Sequence, residues 1–179
     1  MMGDVQCGSS TPGMVRTVLD WRKKHPQADE IWQQLDKSNR NLITSIVALG
    51  GAEDMMVAAD EVSNIKGKRI PEIRKMIKAM GDLAAVPIEP DEQGALLDAA
   101  NAVPEVLGGV VPGAGGYDAV CFLYMDEDDA KERLAKFLSE YRLKDGFVRP
   151  LEAREEGEGV KLEDINGYAD VKHYLAGLL

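Results

Sequence analysis

The stretch Glu105-Val106-Leu107-Gly108-Gly109-Val110-Val111-Pro112-Gly113-Ala114-Gly115-Gly116-Tyr117-Asp118-Ala119-Val120-Cys121-Phe122-Leu123-Tyr124-Met125 decides the fold of this chain. Two apolar runs, 105–111 and 119–125, flank a connection rich in glycine. Short apolar runs bounded by turn residues read as strands. The glycines permit positive φ and close backbone approach. They can also turn successive N–H groups into one concavity that receives an anion. The connection is neither a P-loop nor a dinucleotide fingerprint, because the lysine and the spacings are absent. On the residues alone, a plain strand connection and a phosphate cradle both stay open.

Outward from this centre the chain is mostly helical. On the N-terminal side, Val86-Pro87-Ile88-Glu89-Pro90 forms a turn, followed by a helix over 92–101 with Leu96 and Leu97 inward. Ile73, Ile77, Met80 and Ala84 line one face of a helix over 70–84. Residues 52–67 read as a short helix and a loop ending at Lys66-Gly67-Lys68. Ile31, Leu35, Leu42, Ile46 and Leu49 form the stripe of a helix over 28–49, which Gly50-Gly51 stops. Ser10-Thr11-Pro12 opens a helix carrying Met14, Val15, Val18 and Leu19, and His25-Pro26 closes it. Residues 1–9 read as a loop or the tail of a strand. On the C-terminal side, Asp126–Asp129 leads into a helix reaching 141, and its acidic start complements the helix dipole. Phe147–Leu151 is a strand, Glu152–Glu158 an acidic loop, Val160–Leu162 a short strand and 168–177 a last helix. The expectation is one α+β domain over 1–179: a small, mostly antiparallel sheet with helices packed on one side.

Composition narrows the partners. The chain has 179 residues, 45% apolar and 29% charged, with a net charge of −10. That surplus repels nucleic acid and anionic lipid, so neither is an expected partner. No apolar run approaches the length of a membrane span, and the first residues do not read as a signal peptide. Two cysteines, Cys7 and Cys121, predict no disulfide framework and a reducing compartment. His25 and His173 have no metal-ligand spacing, so no metal site is expected from His and Cys. They also form no plausible Ser-His-Asp triad. Trp21 and Trp32 stand at helical positions and read as core. The ending Ala176-Gly177-Leu178-Leu179 is not the peroxisomal Ser-Lys-Leu signal, so the expected compartment is cytoplasmic, with the peroxisome left open.

Three segments, in order, carry a resemblance. Gly108 to Val120, with its Pro-Gly-Ala-Gly-Gly-Tyr-Asp-Ala core at 112–119, resembles the third conserved motif of the GHMP kinases in the form found in eukaryotic phosphomevalonate kinases. Ala85 to Pro90 with Gln93 and Leu96-Leu97-Asp98 is similar to the segment preceding that motif. Gly3-Asp4-Val5 with Gly8 to Pro12 and Met14-Val15 looks like the strand exit and helix start of the family's C-terminal half. The similarity runs to about residue 125. It implies transfer of the ATP γ-phosphoryl group to 5-phosphomevalonate, a step of isoprenoid synthesis in which catalysis is mostly positioning and charge stabilisation. It implies backbone contacts from Gly113, Ala114, Gly115 and Gly116 to a phosphate. It places substrate contacts near Ser10 and Thr11, and sets Asp118 at the family's acidic position, with either a turn-capping or a catalytic role. The nucleotide loop of the family's N-terminal domain has no counterpart here. ATP and its Mg are therefore expected to need a separate N-terminal half, without which the chain would be inactive. A non-catalytic phosphate-binding or regulatory module on the same fold is the alternative.

One further feature concerns charge. Lys66, Lys68, Arg69, Arg74, Lys75 and Lys78 stand against the single Glu72, a net +5 over residues 66–78. Arg74 and Lys78 share a helix face at i, i+4. Arginine suits bidentate phosphate binding, which makes Arg74 the candidate substrate contact. A solvated helix face is the competing reading.

Overall fold

The computed structural model describes residues 1–5, 11–127, 129–144 and 146–151, together with Gly157 and Gly159. Strand β1 (Met2–Val5) leads to helices α1 (Thr11–Lys24), α2 (Ala28–Gly50) and α3 (Met55–Asn64). A π-helical turn (Ile65–Arg69) then runs into α4 (Ile70–Ala84) and α5 (Asp91–Ala100). Strands β2 (Val106–Val110) and β3 (Ala119–Tyr124), helix α6 (Ala130–Glu140), and strands β4 (Arg142–Leu143) and β5 (Gly146–Leu151) follow. The expected short strand at 160–162 and last helix at 168–177 lie outside the described residues, as do Cys7, Ser10 and His173.

The sheet is antiparallel in the order β2-β3-β1-β5-β4. The four residues of β1, expected as a loop or strand tail, form its centre: Met2 pairs with both Cys121 and Leu151. Periodicity gave little notice of this, because alternation over four residues is too short to identify a strand. Gly3 faces the core there. A Cβ on it would stand 2.8 Å from Val148 Cγ1 and 3.1 Å from Val120 Cγ2, so the core side chains of the neighbouring strands fill the space that a side chain at position 3 would need.

One sheet face carries the main core. Val5, Val106, Val120, Phe122 and Val148 meet Leu96 and Leu97 of α5 and Leu134 and Leu138 of α6. The expectation of helices on a single side is corrected at the β2–β3 edge. There Leu107, with Val110 and Leu123, packs on Ile65 and Ile70 from the opposite face. A register shift between Val106 and Gly108 accounts for it. A bulge sends an extra residue to one face, and Gly108 at φ +142 leaves room for Ile70, whose Cδ1 would lie 2.9 Å from an added Cβ. A second correction concerns 52–67. The expected loop ending at Lys66-Gly67-Lys68 is helical throughout, because burying Ile65 and Ile70 together favours a wider turn over a break. The third cluster joins Trp21, Ala28, Met80, Ala84, Val86 and Ile88, and so fixes α1, α2 and α4 against the 86–90 turn. On α2, Leu35, Leu42 and Leu49 pack inward as expected, whereas Ile46 stays exposed at the stripe's edge. No described helix is long and apolar enough to cross a membrane.

Candidate functional site

The glycine connection divides into two halves with different partners. In its second half, the Gly115 N–H donates to the Pro112 carbonyl at 3.2 Å and the Gly116 N–H to the Ile88 carbonyl at 2.8 Å. Gly115 and Gly116 are buried with φ of +78° and +89°, and a Cβ on Gly115 would stand 2.3 Å from the Ile88 oxygen. The resemblance implies phosphate contacts from all four N–H groups of 113–116; two of them hold backbone acceptors, and the Gly116 bond fastens the loop to the 86–90 turn. In the first half, Gly113 is exposed at φ +64° with open space around its Cα, and Ala114 is half-buried. Among the described residues the Gly113 and Ala114 N–H groups donate no hydrogen bond.

Gly113 and Ala114 border a cavity of about 380 Å³ shared with Met14 and Val15 of the first turn of α1, Trp32 of α2 and Ile77 of α4. Thr11 is the first residue of α1 and is exposed. The first turn of a helix holds unbonded N–H groups at its positive end. That of α1 contains no acidic residue to offset the field, while Arg22, Lys23 and Lys24 complete the opposite end. The structure therefore brings Gly113 and Ala114 to one cleft with Met14 and Val15 of α1, whereas Thr11 does not line it. Ser10 lies outside the described residues. The Val5 N–H donates to the Asp118 carbonyl at 2.8 Å, which sets Asp118 beside the end of β1. The Asp118 carboxylate is half-buried and has no hydrogen bond or ion pair among the described residues. A turn-capping bond from it is therefore not seen there.

Arg74 lies on a different face of α4 from Ile73 and Ile77 and does not line the cleft. Its Nε and Nη2 donate to Glu89 Oε1 at 3.0 and 2.7 Å, Nη1 donates to Asp98, and Nη2 also reaches the Gly94 carbonyl at 3.3 Å. Burial opposes the guanidinium's charge, but bonding to Glu89 and Asp98 outweighs it and raises the pKa further. The rest of the basic segment disperses. Lys66 donates to the Asn101 carbonyl, Arg69 pairs with Glu72, and Lys78 pairs with Asp91 and Asp82. Lys68 and Lys75 face solvent. The segment is thus no single anion patch. The sequence signal missed was Glu89, a carboxylate between apolar Ile88 and Pro90 that is only 7% exposed; a buried carboxylate requires a cation, and Arg74 supplies it. A second cavity, of about 540 Å³, opens on the far side of Ile88 along Lys78, Asp82, Asp91, Glu92 and Tyr117.

The Gly113 and Ala114 amides stand at the edge of a cleft otherwise lined mainly by apolar side chains such as Val18, Leu35 and Met80. Among the described residues no cluster of three His, Cys, Asp or Glu side chains could hold a metal ion.

Comparison with known proteins follows the same lines. A family model described as GHMP kinases C terminal matches residues 58–143. A phosphomevalonate kinase of Gibberella zeae is 39% identical over 170 residues, which cover 94% of this chain and 36% of that protein. One from Aspergillus fumigatus is 41% identical over 175 residues, 93% of this chain and 36% of the relative. A peroxisomal phosphomevalonate kinase of Arabidopsis thaliana is 31% identical over 185 residues, 87% of this chain and 35% of the relative. The chain thus spans about a third of the length of these relatives. No solved structure matches.

Proposed function

The chain belongs to the GHMP kinases, in their C-terminal part, and from that premise we propose that it serves as the C-terminal domain of a phosphomevalonate kinase. The supporting observation is the open pair of amides at Gly113 and Ala114, which shares a cleft with the first turn of α1. In this reading the 5-phosphate of phosphomevalonate meets those amides together with Ser10 and Thr11. A phosphate oxygen then forms the new P–O bond to the γ-phosphorus of ATP as the bond to ADP breaks. The chain's own contribution is positioning and neutralisation of charge through fixed N–H dipoles, the usual currency of phosphoryl transfer.

The other residues take supporting parts. Gly115 and Gly116 hold the loop on Ile88 so that its first half stays open. Arg74, engaged by Glu89 and Asp98, keeps α4 and α5 in place rather than meeting the phosphate directly. The carboxylate of Asp118, which makes no bond among the described residues, is the chain's candidate for a chemical role. ATP and its Mg are held chiefly by the N-terminal part of such a kinase, and the proposed compartment is the cytoplasm.

Mixing this chain with the N-terminal part of the Aspergillus fumigatus relative tests the proposal. Phosphomevalonate-dependent release of ADP is the expected result. Stable association of the two parts without any turnover would overturn it. Within an active mixture, Asp118→Asn is expected to lower kcat with the thermal midpoint unchanged; an unaltered kcat removes Asp118 from the chemistry.

A further inference from the structure

Helix α2 turns one stripe of side chains toward the rest of the molecule, and Asn39 stands in that stripe. Leu35 lies one turn before it and Leu42 one turn after, and both pack inward. The spacing therefore calls for an apolar side chain at position 39. Asparagine is also among the weaker residues for a helix interior. Yet Asn39 borders the cavity of about 380 Å³ under the glycine connection. Its carboxamide makes no hydrogen bond among the described residues. A residue that breaks the local pattern with no packing reason marks a place where function is expected.

The rest of the lining is almost wholly apolar. Of the fifteen residues around the cavity, only Asn39 and Trp32 carry a nitrogen or oxygen in the side chain. The Trp32 ring is covered by the Arg22 guanidinium, 4.4 Å from its centre. Asp36, one turn before Asn39, already accepts from Arg40 Nε at 2.9 Å, which offsets its repulsion of an anion. A mostly apolar cavity of this size with a few placed polar groups suits one small molecule. Phosphomevalonate has the matching chemistry. It carries a phosphate at one end, a carboxylate at the other, and a short methyl-branched carbon chain between them.

Resting on the kinase reading above, we propose that Asn39 is a specificity residue for phosphomevalonate. Its Nδ2–H donates to the substrate carboxylate, the end remote from the phosphate on the Gly113 and Ala114 amides. The methyl-branched chain lies against apolar walls such as Ile77 and Met80. The carboxylate takes no part in the transfer, so this bond is alike in ground and transition states and sets affinity rather than rate.

Steady-state kinetics of this chain mixed with the N-terminal part of the Aspergillus fumigatus relative test the assignment. Asn39→Leu is expected to raise the KM for phosphomevalonate about tenfold, through loss of a hydrogen bond to a charged group. Its kcat and its KM for ATP should stay close to those of the wild type. The same variant should unfold at an equal or higher temperature, since leucine is the better helix former. A residue kept for structure alone would not part affinity from stability in this way. Asn39→Asp should raise the KM further, because like charges then face each other. An active mixture whose KM for phosphomevalonate is unmoved by Asn39→Leu overturns the assignment and leaves the kinase reading standing. So does an Asn39→Asp variant with the KM of the wild type. A mixture without turnover removes the kinase reading, and this assignment falls with it.

Discussion

The Gly116 amide donates to the Ile88 carbonyl at 2.8 Å, and this bond ties the glycine connection to the 86–90 turn. It separates the two ends of the connection: Gly115 and Gly116 hold backbone acceptors, while the Gly113 and Ala114 amides donate no bond among the described residues. It also places Ile88 between two cavities, one under Gly113 and Ala114, the other beside Lys78 and Asp91.

Substitutions at the two ends should therefore differ sharply. Gly115→Ala must place a Cβ 2.3 Å from the Ile88 oxygen at a φ of +78°, so both strain and overlap oppose it. A loss of about 3 kcal/mol or more is expected in denaturant unfolding. Gly113→Ala meets open space at φ +64° and should cost only about 1 kcal/mol, the conformational penalty alone. Equal losses at the two positions would show that the Ile88 contact does not hold the loop.

Much of this frame was legible in the sequence, and the parts that were not have physical causes. The apolar faces of α1, α2 and α4 follow a period that burial enforces, so Val18, Leu35 and Met80 could be read inward from spacing alone. The role of β1 could not be read. Its place at the sheet centre depends on pairing with Cys121 and Leu151, more than a hundred residues away. The π-helical turn was equally hidden, because its cause is the joint burial of Ile65 and Ile70 on a bulged strand. In the candidate site, the glycines and the start of α1 announced themselves by residue type. Which N–H groups remain free depends on Ile88, a residue with no polar side chain to draw notice. Arg74 was recognisable as a phosphate-type ligand, but the partners that occupy it, Glu89 and Asp98, are fixed by tertiary packing.

The pair Lys78–Asp91 predicts how stability responds to pH. The hydrogen bond from Lys78 holds the Asp91 carboxyl below its ordinary 3.8, and the bond to Asp91 raises Lys78 above 10.5. For Asp91, the contribution is complete above the unfolded value and vanishes as pH falls through the lower folded value. For Lys78, it is complete below the unfolded value and vanishes as pH rises past the higher folded one. Both groups are exposed, so added salt should shrink the effect. Thermal midpoints measured against pH should show a shallower acid limb for Asp91→Asn and an unchanged neutral plateau shape. An identical acid limb in the variant would show that the pair contributes nothing.

Arg74 offers the clearest separation of a structural role from a ligand role. Its guanidinium is 16% exposed and Glu89 only 6% at the side chain, so replacing the arginine strands a buried carboxylate. Arg74→Leu is expected to cost about 3 kcal/mol, the usual penalty for breaking a buried pair from one side. Arg74→Lys should recover only part of this, since an ammonium cannot span Glu89 and Asp98 as a fork does. Combining Arg74→Leu with Glu89→Gln removes the stranded charge and should regain a good share of the loss in a double-mutant cycle. An Arg74→Leu chain as stable as the wild type would free the guanidinium from its structural duty and return it to the list of phosphate ligands. In the reconstituted kinase, the double variant should then separate the two roles: a KM for phosphomevalonate close to that of the wild type is expected of a clamp between α4 and α5, and a large rise in KM would be the mark of direct contact.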